Sequence, residues 1–154
     1  ETKDIDPALT DGTIDALTAA LLIFEQVSDG ENCGGSSEVF DGKRRFEQIF
    51  AYEELVELNS SKYNIYSGPA QKCTVEIKPI SGKWYDKPRG WLSIQEQGRE
   101  RGMMPTVWLA NVKEGGPAIP VKIRVKTAYG TLFMPLAQYE SGGNIVVAEK
   151  REDN

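Results

Sequence analysis

Strict alternation of apolar and charged residues late in the chain constrains the fold more than any other feature. The apolar residues there are Ile119, Val121, Ile123 and Val125, and the basic residues between and after them are Lys122, Arg124 and Lys126. A period of two is typical of a β-strand with one buried and one solvated face. We therefore predict a strand, with its three basic side chains projecting to one side about 7 Å apart.

Comparable patterns predict about six strands in all. The predicted strands are 46–58, 73–78, 107–112, 119–126, 132–139 and 145–147. In the first of them the large apolar residues occupy even positions, which predicts a single buried face. The 15 glycines and 8 prolines of the 154-residue chain punctuate it too often for a helical bundle and favour many short strands.

The hairpin before the first long strand has its own turn signal. Asp41-Gly42 favours a tight type I′ turn, because that turn needs positive φ angles at two consecutive residues.

One helix is predicted, over residues 13–26. Its buried face would consist of Ile14, Leu17, Leu21 and Phe24, which recur at spacings of three and four. Thr13 can cap its start, and Ser28-Asp29-Gly30 would end it. We expect this helix to pack on the sheet.

Two further segments complete a single domain over residues 1–154. Residues 81–102 are polar and lack a clear period, so we predict a long excursion that folds back on the core. Residues 150–154 predict a frayed tail. The chain length and a hydrophobic content of 40% suit one domain with a sizeable core.

The absence of histidine excludes several classes of site. Without imidazole the chain has no Ser-His or Cys-His nucleophile pair and no histidine ligand for a metal. Its two cysteines cannot complete a structural zinc site, which needs four nitrogen or sulfur ligands. No glycine pattern typical of nucleotide binding occurs. We predict no catalytic residues, no metal and no cofactor.

The cysteines, Cys33 and Cys73, leave two interpretations open. They could form a disulfide in an oxidising compartment, or they could be two separate buried thiols. The disulfide is the favoured interpretation, and its long loop would contribute about 3–4 kcal/mol to stability.

Charge and hydropathy bear on partners and location. Residues 1–60 carry fourteen acidic and four basic residues, whereas residues 61–154 carry nine acidic and fourteen basic ones. The overall charge of −5 argues against nonspecific nucleic-acid binding. No apolar run is long enough to cross a bilayer. The chain opens at Glu1 with no visible targeting segment, so we expect a processed or trimmed product.

Short motifs recur in a recognisable order along residues 13–140. They are Asp15-Ala16-Leu17-Thr18-Ala19, the loop residue Cys33, Phe40-Asp41-Gly42-Lys43-Arg44, Gly68-Pro69-Ala70 before Cys73, Pro79-Ile80-x-Gly82, Val107-Trp108-Leu109 and Thr127-x-x-Gly130-Thr131. Together they resemble the bacterial domain of unknown function 3108, a family of exported envelope proteins of proteobacteria.

The resemblance implies a fold and a location rather than a reaction. It implies a periplasmic protein whose signal peptide has been removed, built on a curved antiparallel sheet or partial β-barrel. It also implies that Cys33 and Cys73 form a structural pair, and it supplies no catalytic residues. The expected fold class is therefore mainly β with one helix.

Three sets of residues are candidate sites. Glu53, Glu54 and Glu57 are the densest carboxylates, but a solvated strand face explains them best, since nothing nearby predicts the apolar pocket that acid catalysis needs. The basic residues at 122, 124 and 126 could contact lipid headgroups or an acidic partner, or could be the wet side of a strand. The aromatic set comprises Trp84, Tyr85, Trp91 and Trp108, which could line a lipid or glycan groove or simply pack in the core.

Two functions remain as hypotheses. The first is a non-enzymatic envelope protein that binds a lipid or other amphiphile on the curved sheet. The alternative is an envelope interaction scaffold that uses edge strands or the basic residues. The sequence predicts no oligomeric state.

Overall fold

The computed structural model describes residues 12–62, 64–84, 90–127, 130–135, 138–141 and 144–147. The predicted tail at 150–154 lies outside these residues. The elements are α1 Ala16–Ser28, β1 Gly35–Phe40, β2 Arg44–Leu58, β3 Gly68–Gly82, α2 Trp91–Glu100, β4 Thr106–Asn111, β5 Ala118–Thr127, β6 Gly130–Pro135, β7 Gln138–Ser141 and β8 Asn144–Val147.

The architecture is mainly β, as predicted. Strands β1 to β6 form one antiparallel sheet in which each strand pairs with its neighbours along the chain. This sheet is curved and does not close into a barrel. Strands β7 and β8 form a separate two-stranded hairpin.

The prediction of a single helix was wrong, because α2 lies within the polar stretch where an irregular excursion was expected. Its buried residues are Gln95 and Gly98, so it has no apolar stripe that periodicity could detect. Gly98 packs so closely that a Cβ atom there would clash with the Met103 carbonyl oxygen. The Gln95 amide and the close approach of Gly98 to the Met103 backbone therefore hold α2 to the protein.

Helix α1 forms near the predicted position but buries a different face. Asp15, rather than Thr13, is its N-cap and accepts a 2.8 Å hydrogen bond from the Thr18 backbone N–H. Its buried residues are Ala19, Ile23 and Val27, with Ala20 and Phe24 partly buried beside them. Two residues of the predicted buried face, Leu17 and Leu21, are 68% and 53% exposed.

The predicted hairpin joins β1 to β2, but its turn is not type I′. Only Gly42 has a positive φ angle in this turn, +98°, whereas type I′ requires two. The Asp41 carboxylate closes the turn instead by accepting hydrogen bonds from the Lys43 and Arg44 backbone N–H groups. These bonds satisfy two donors that the strand ladder leaves free.

Bulges in β2 and β5 overturn the prediction that each strand buries one face. In β2 the register shifts between Tyr52 and Glu54, so Phe50 and Val56 lie on opposite faces of the sheet. In β5 the shift opposite Trp108 and Leu109 leaves Val121 as the extra residue. A one-residue insertion exchanges the faces of all later side chains, which a period-2 pattern cannot reveal.

The sheet consequently has a core on each face. We call the side on which α1 packs the helix face; its cluster includes Ile23, Phe50, Val107 and Leu109 together with both cysteines. We call the other side the far face; its cluster is Tyr66, Ala70, Trp108, Ala110 and Val121. The segment before β3 covers part of the far face, where the Tyr66 hydroxyl donates to the Pro69 carbonyl over 2.6 Å.

Candidate functional site

The two cysteines join the loop after α1 to the middle of β3. Their sulfur atoms lie at disulfide-bonding distance, and their Cα atoms are 6.5 Å apart, within the range that disulfides use. Both residues are fully buried in the helix-face core. Of the two interpretations left open by the sequence, this geometry fits the disulfide.

Glutamine side chains hold the same loop in place. The Gln71 amide accepts from the Cys33 N–H over 2.8 Å and donates to the Glu31 carbonyl over 3.0 Å. From α1, the Gln26 amide donates to the carbonyls of Asn32 and Gly34. The loop is thus tied to both the helix and the sheet, so the cysteine pair anchors α1 over β3.

The predicted carboxylate cluster lies at the bulge in β2. The Lys72 ammonium is 3.1 Å from a Glu53 carboxylate oxygen and 3.9 Å from one of Glu54. Glu57 pairs in register with Pro69, on the opposite face from Glu54. The carboxylates therefore form surface ion pairs and do not converge on a cleft.

The three basic residues of β5 share one face of the strand, as the alternation predicted. This face is the far face. The Lys122 ammonium lies 4.6 Å from the Trp108 ring centroid and 5.1 Å from that of Phe133. The Arg124 guanidinium lies 5.3 Å from the same tryptophan ring and donates a hydrogen bond to Thr106 Oγ1. Both cations therefore make cation–π contacts with the buried Trp108 ring, and Lys122 makes a second one with the half-exposed Phe133.

Lys126 is the third member of this row. It is partly exposed and pairs in register with Thr131 of β6. The row of three basic residues runs beside β6, and Lys122 and Arg124 cover Trp108 while Lys126 lies near the end of the strand.

The tryptophans do not share one groove. Trp84 packs edge-on against Phe46, with 6.2 Å between the ring centroids. The Arg44 guanidinium lies 4.3 Å from the Trp84 ring centroid. Trp108 is buried in the far-face core. Trp91 lies at the start of α2, on the helix-face side. Tyr85 lies outside the described residues.

Trp91 lines an apolar cleft. The cleft has a volume of ≈170 Å³ and lies between α1, α2 and the helix face. Its apolar lining includes Phe24, Phe50, Val75, Trp91, Val107 and Ile123. The Trp91 indole Nε1 is buried, and the surface that lines the cleft is apolar throughout. The cleft can therefore take up an apolar group but offers it no hydrogen bond.

Sequence reasoning missed most of this cleft because its residues come from six separate elements. Phe50, Val75, Val107 and Ile123 were assigned to strands, but nothing in their spacing showed that they would meet below Trp91. Gln95, which positions α2, was also missed. Its amide accepts from the Ile77 N–H over 2.9 Å and donates to the Ile77 carbonyl over 2.7 Å.

Comparison with known protein families, curated proteins and solved structures finds no match. No helix in the described part of the chain is long and apolar enough to span a bilayer. Within the same residues, no three side chains of His, Cys, Asp or Glu are grouped so that they could hold a metal ion.

Proposed function

We propose that the protein is a non-enzymatic protein of the bacterial envelope that binds the apolar part of a small amphipathic ligand in the cleft between α1, α2 and the sheet. The observation that carries the proposal is the apolar cleft itself. The envelope location is supported by the cysteine pair and by the family resemblance.

The volume of the cleft limits what can enter it. At ≈170 Å³ it is close to the roughly 150 Å³ of an engineered apolar cavity that binds benzene. Pockets for drug-sized ligands run from about 300 Å³ upward. The cleft therefore suits one aromatic ring or a short stretch of acyl chain, while the rest of the ligand stays outside.

The opening of the cleft sets the polarity of the rest of the ligand. The apolar lining takes up an apolar group. The part of the ligand that does not fit stays in water, where its polar groups keep their hydration. We therefore expect a ligand with an apolar group at one end and a polar group at the other.

Titration with benzyl alcohol and with toluene, followed by ¹H–¹⁵N NMR of the protein, tests the proposal. We expect both probes to shift signals from residues that line the cleft, because each carries one aromatic ring that fits the apolar volume. The hydroxyl group of benzyl alcohol should remain at the mouth of the cleft. The absence of shifts at the lining residues with either probe would contradict the proposal.

A cleft-filling variant tests the location. Val75→Phe should abolish the shifts caused by either probe, because the larger side chain occupies the cleft. The matched control is Val56→Phe, which makes the same substitution on the far face. Binding that survives Val75→Phe, or that is lost equally in the control, would overturn the proposed site.

A further inference from the structure

Strand β6 forms an outer edge of the main sheet in the described part of the chain. It is the outermost strand, and no described strand pairs with its outer side. All six of its residues are exposed, including the large apolar residues Leu132 at 53%, Phe133 at 50% and Met134 at 46%. The strand carries no charge of its own. Natural proteins normally protect such edges with charges, bulges or a covering element.

Two other described edges of this sheet are covered. At β1, the Ile14 N–H donates to the Glu38 carbonyl and the Ile14 carbonyl accepts from the Phe40 N–H. Beyond the end of β4, the Pro105 carbonyl accepts from the Val75 N–H, and the Gln95 amide satisfies Ile77. The outer edge of β6 from Thr131 to Pro135 has no comparable cover among the described residues.

The register shows which backbone groups of β6 point outward. Pro135 pairs with Lys122 but has no N–H, so this pair cannot exchange hydrogen bonds with β5. Pair types alternate along an antiparallel ladder, and the β5–β6 ladder has no register shift. Phe133 and Thr131 are therefore of the same type as Pro135, and their N–H and carbonyl groups face away from β5.

The two faces next to this edge differ in charge. On the helix face, Leu132 and Met134 lie opposite Val125 and Ile123, so the surface there is apolar. On the far face, Phe133 lies opposite Arg124, between the positions of Lys122 and Lys126. A strand added beside β6 would therefore meet Leu132 and Met134 on one face and Thr131 and Phe133 on the other. The basic residues of β5 lie one strand further in, and the Lys122 ammonium extends toward β6, 5.1 Å from the Phe133 ring centroid.

We propose that the β6 edge binds an extended segment of a partner protein in which acidic and apolar residues alternate. The segment would add a strand to the sheet through the backbone of Thr131 and Phe133. Its apolar side chains would cover Leu132 and Met134, and its acidic side chains would lie beside Thr131 and Phe133, where the long side chains of Lys122 and Lys126 can reach them across β6. An anionic membrane is a poorer occupant, because hydrocarbon cannot pair the outward N–H and carbonyl groups.

A ten-residue peptide of alternating valine and glutamate, labelled for fluorescence anisotropy, tests this proposal. We expect it to bind at low salt and to bind at least tenfold more tightly than a valine–lysine peptide. Lys126→Glu should weaken binding severalfold, and Phe133→Pro should abolish it by removing an outward N–H. Val75→Phe should leave binding unchanged, which separates this edge from the cleft.

Controls on the peptide keep the test decisive if Phe133→Pro fails to fold. Alternate backbone N–H groups of a paired strand face its neighbour. Methylating the nitrogens of either all valines or all glutamates of the peptide should therefore abolish binding in one case and leave it intact in the other. Equal binding of the two peptides, or no binding of the valine–glutamate peptide up to millimolar concentration, would overturn the proposal. Flotation of the protein with phosphatidylglycerol vesicles, or dimerisation that Phe133→Pro abolishes, would assign the edge to a membrane or to a second copy and would also overturn it.

Discussion

At the scale of single residues, glutamine side chains fix elements in place by hydrogen-bonding backbone groups that no strand pairs. Gln95 satisfies both backbone groups of Ile77 beyond the end of β4, and Gln71 satisfies two backbone groups of the loop that carries Cys33. Neither residue could be predicted from the sequence, because an isolated glutamine gives no periodic signal. Their roles depend on strands that end at particular points in the folded protein.

Gln95→Ala should lower the free energy of unfolding by about 1–3 kcal/mol, since it leaves the Ile77 N–H and carbonyl without partners in a partly buried position. Urea denaturation measures the change. Glu96→Ala, at an exposed position of the same helix, should change stability by less than about 0.5 kcal/mol. Equal losses in both variants would show that the amide has no special role.

The carboxylate of Asp41 should make the hairpin sensitive to acid. Burial raises its pKa, but hydrogen bonds from the Arg44 and Lys43 backbone N–H groups and the Arg44 charge outweigh it, so the pKa is lowered overall from 3.8. Because the folded state holds the ionised form, the stabilisation is present above pH 3.8 and is lost as the pH falls below it. The stability difference between the original protein and Asp41→Ala should therefore shrink below pH 4, as followed by urea denaturation; a constant difference would contradict this role.

At the scale of elements, the sequence predicted where most strands and α1 lie, but not which faces they bury. Bulges in β2 and β5 exchange the faces within each strand, as Phe50 and Val56 show. Helix α1 has apolar residues on more than one side, so its periodicity fits two faces. The choice between them depends on packing against the sheet rather than on local sequence.

Substitutions in α1 distinguish the two faces. Ile23→Ala should cost about 2–5 kcal/mol, because Ile23 belongs to the helix-face core. Leu21→Ala should cost less than about 0.5 kcal/mol, because Leu21 is 53% exposed. Thermal or urea denaturation gives both values. The reverse order would restore the face predicted from the sequence.

At the scale of the whole molecule, the covalent link between Cys33 and Cys73 should be formed in the native protein. Thiol titration in denaturant without reductant should find no free thiol, since both cysteines are paired. Reduction should then lower stability by about 3–4 kcal/mol, because the link closes a long loop in the unfolded chain. Two titratable thiols would remove the main structural support for an oxidising compartment.

The fold class could be predicted from local features of the sequence, namely alternation, turn residues and frequent glycine and proline. The cleft could not be predicted in this way, because it forms where α1, α2 and the curved sheet meet. Residues as far apart as Phe24 and Ile123 line it, and only the completed topology brings them together. The site therefore depends on the whole molecule even though each lining residue is ordinary in its own element.

Native mass spectrometry of the purified protein, with solvent extraction of whatever co-purifies, tests the ligand-binding account most directly. We predict a bound amphiphile that organic solvent removes and that Val75→Phe lacks, while Val56→Phe retains it. A ligand that remains bound in Val75→Phe, or a protein that takes up neither a natural amphiphile nor benzyl alcohol, would contradict the account.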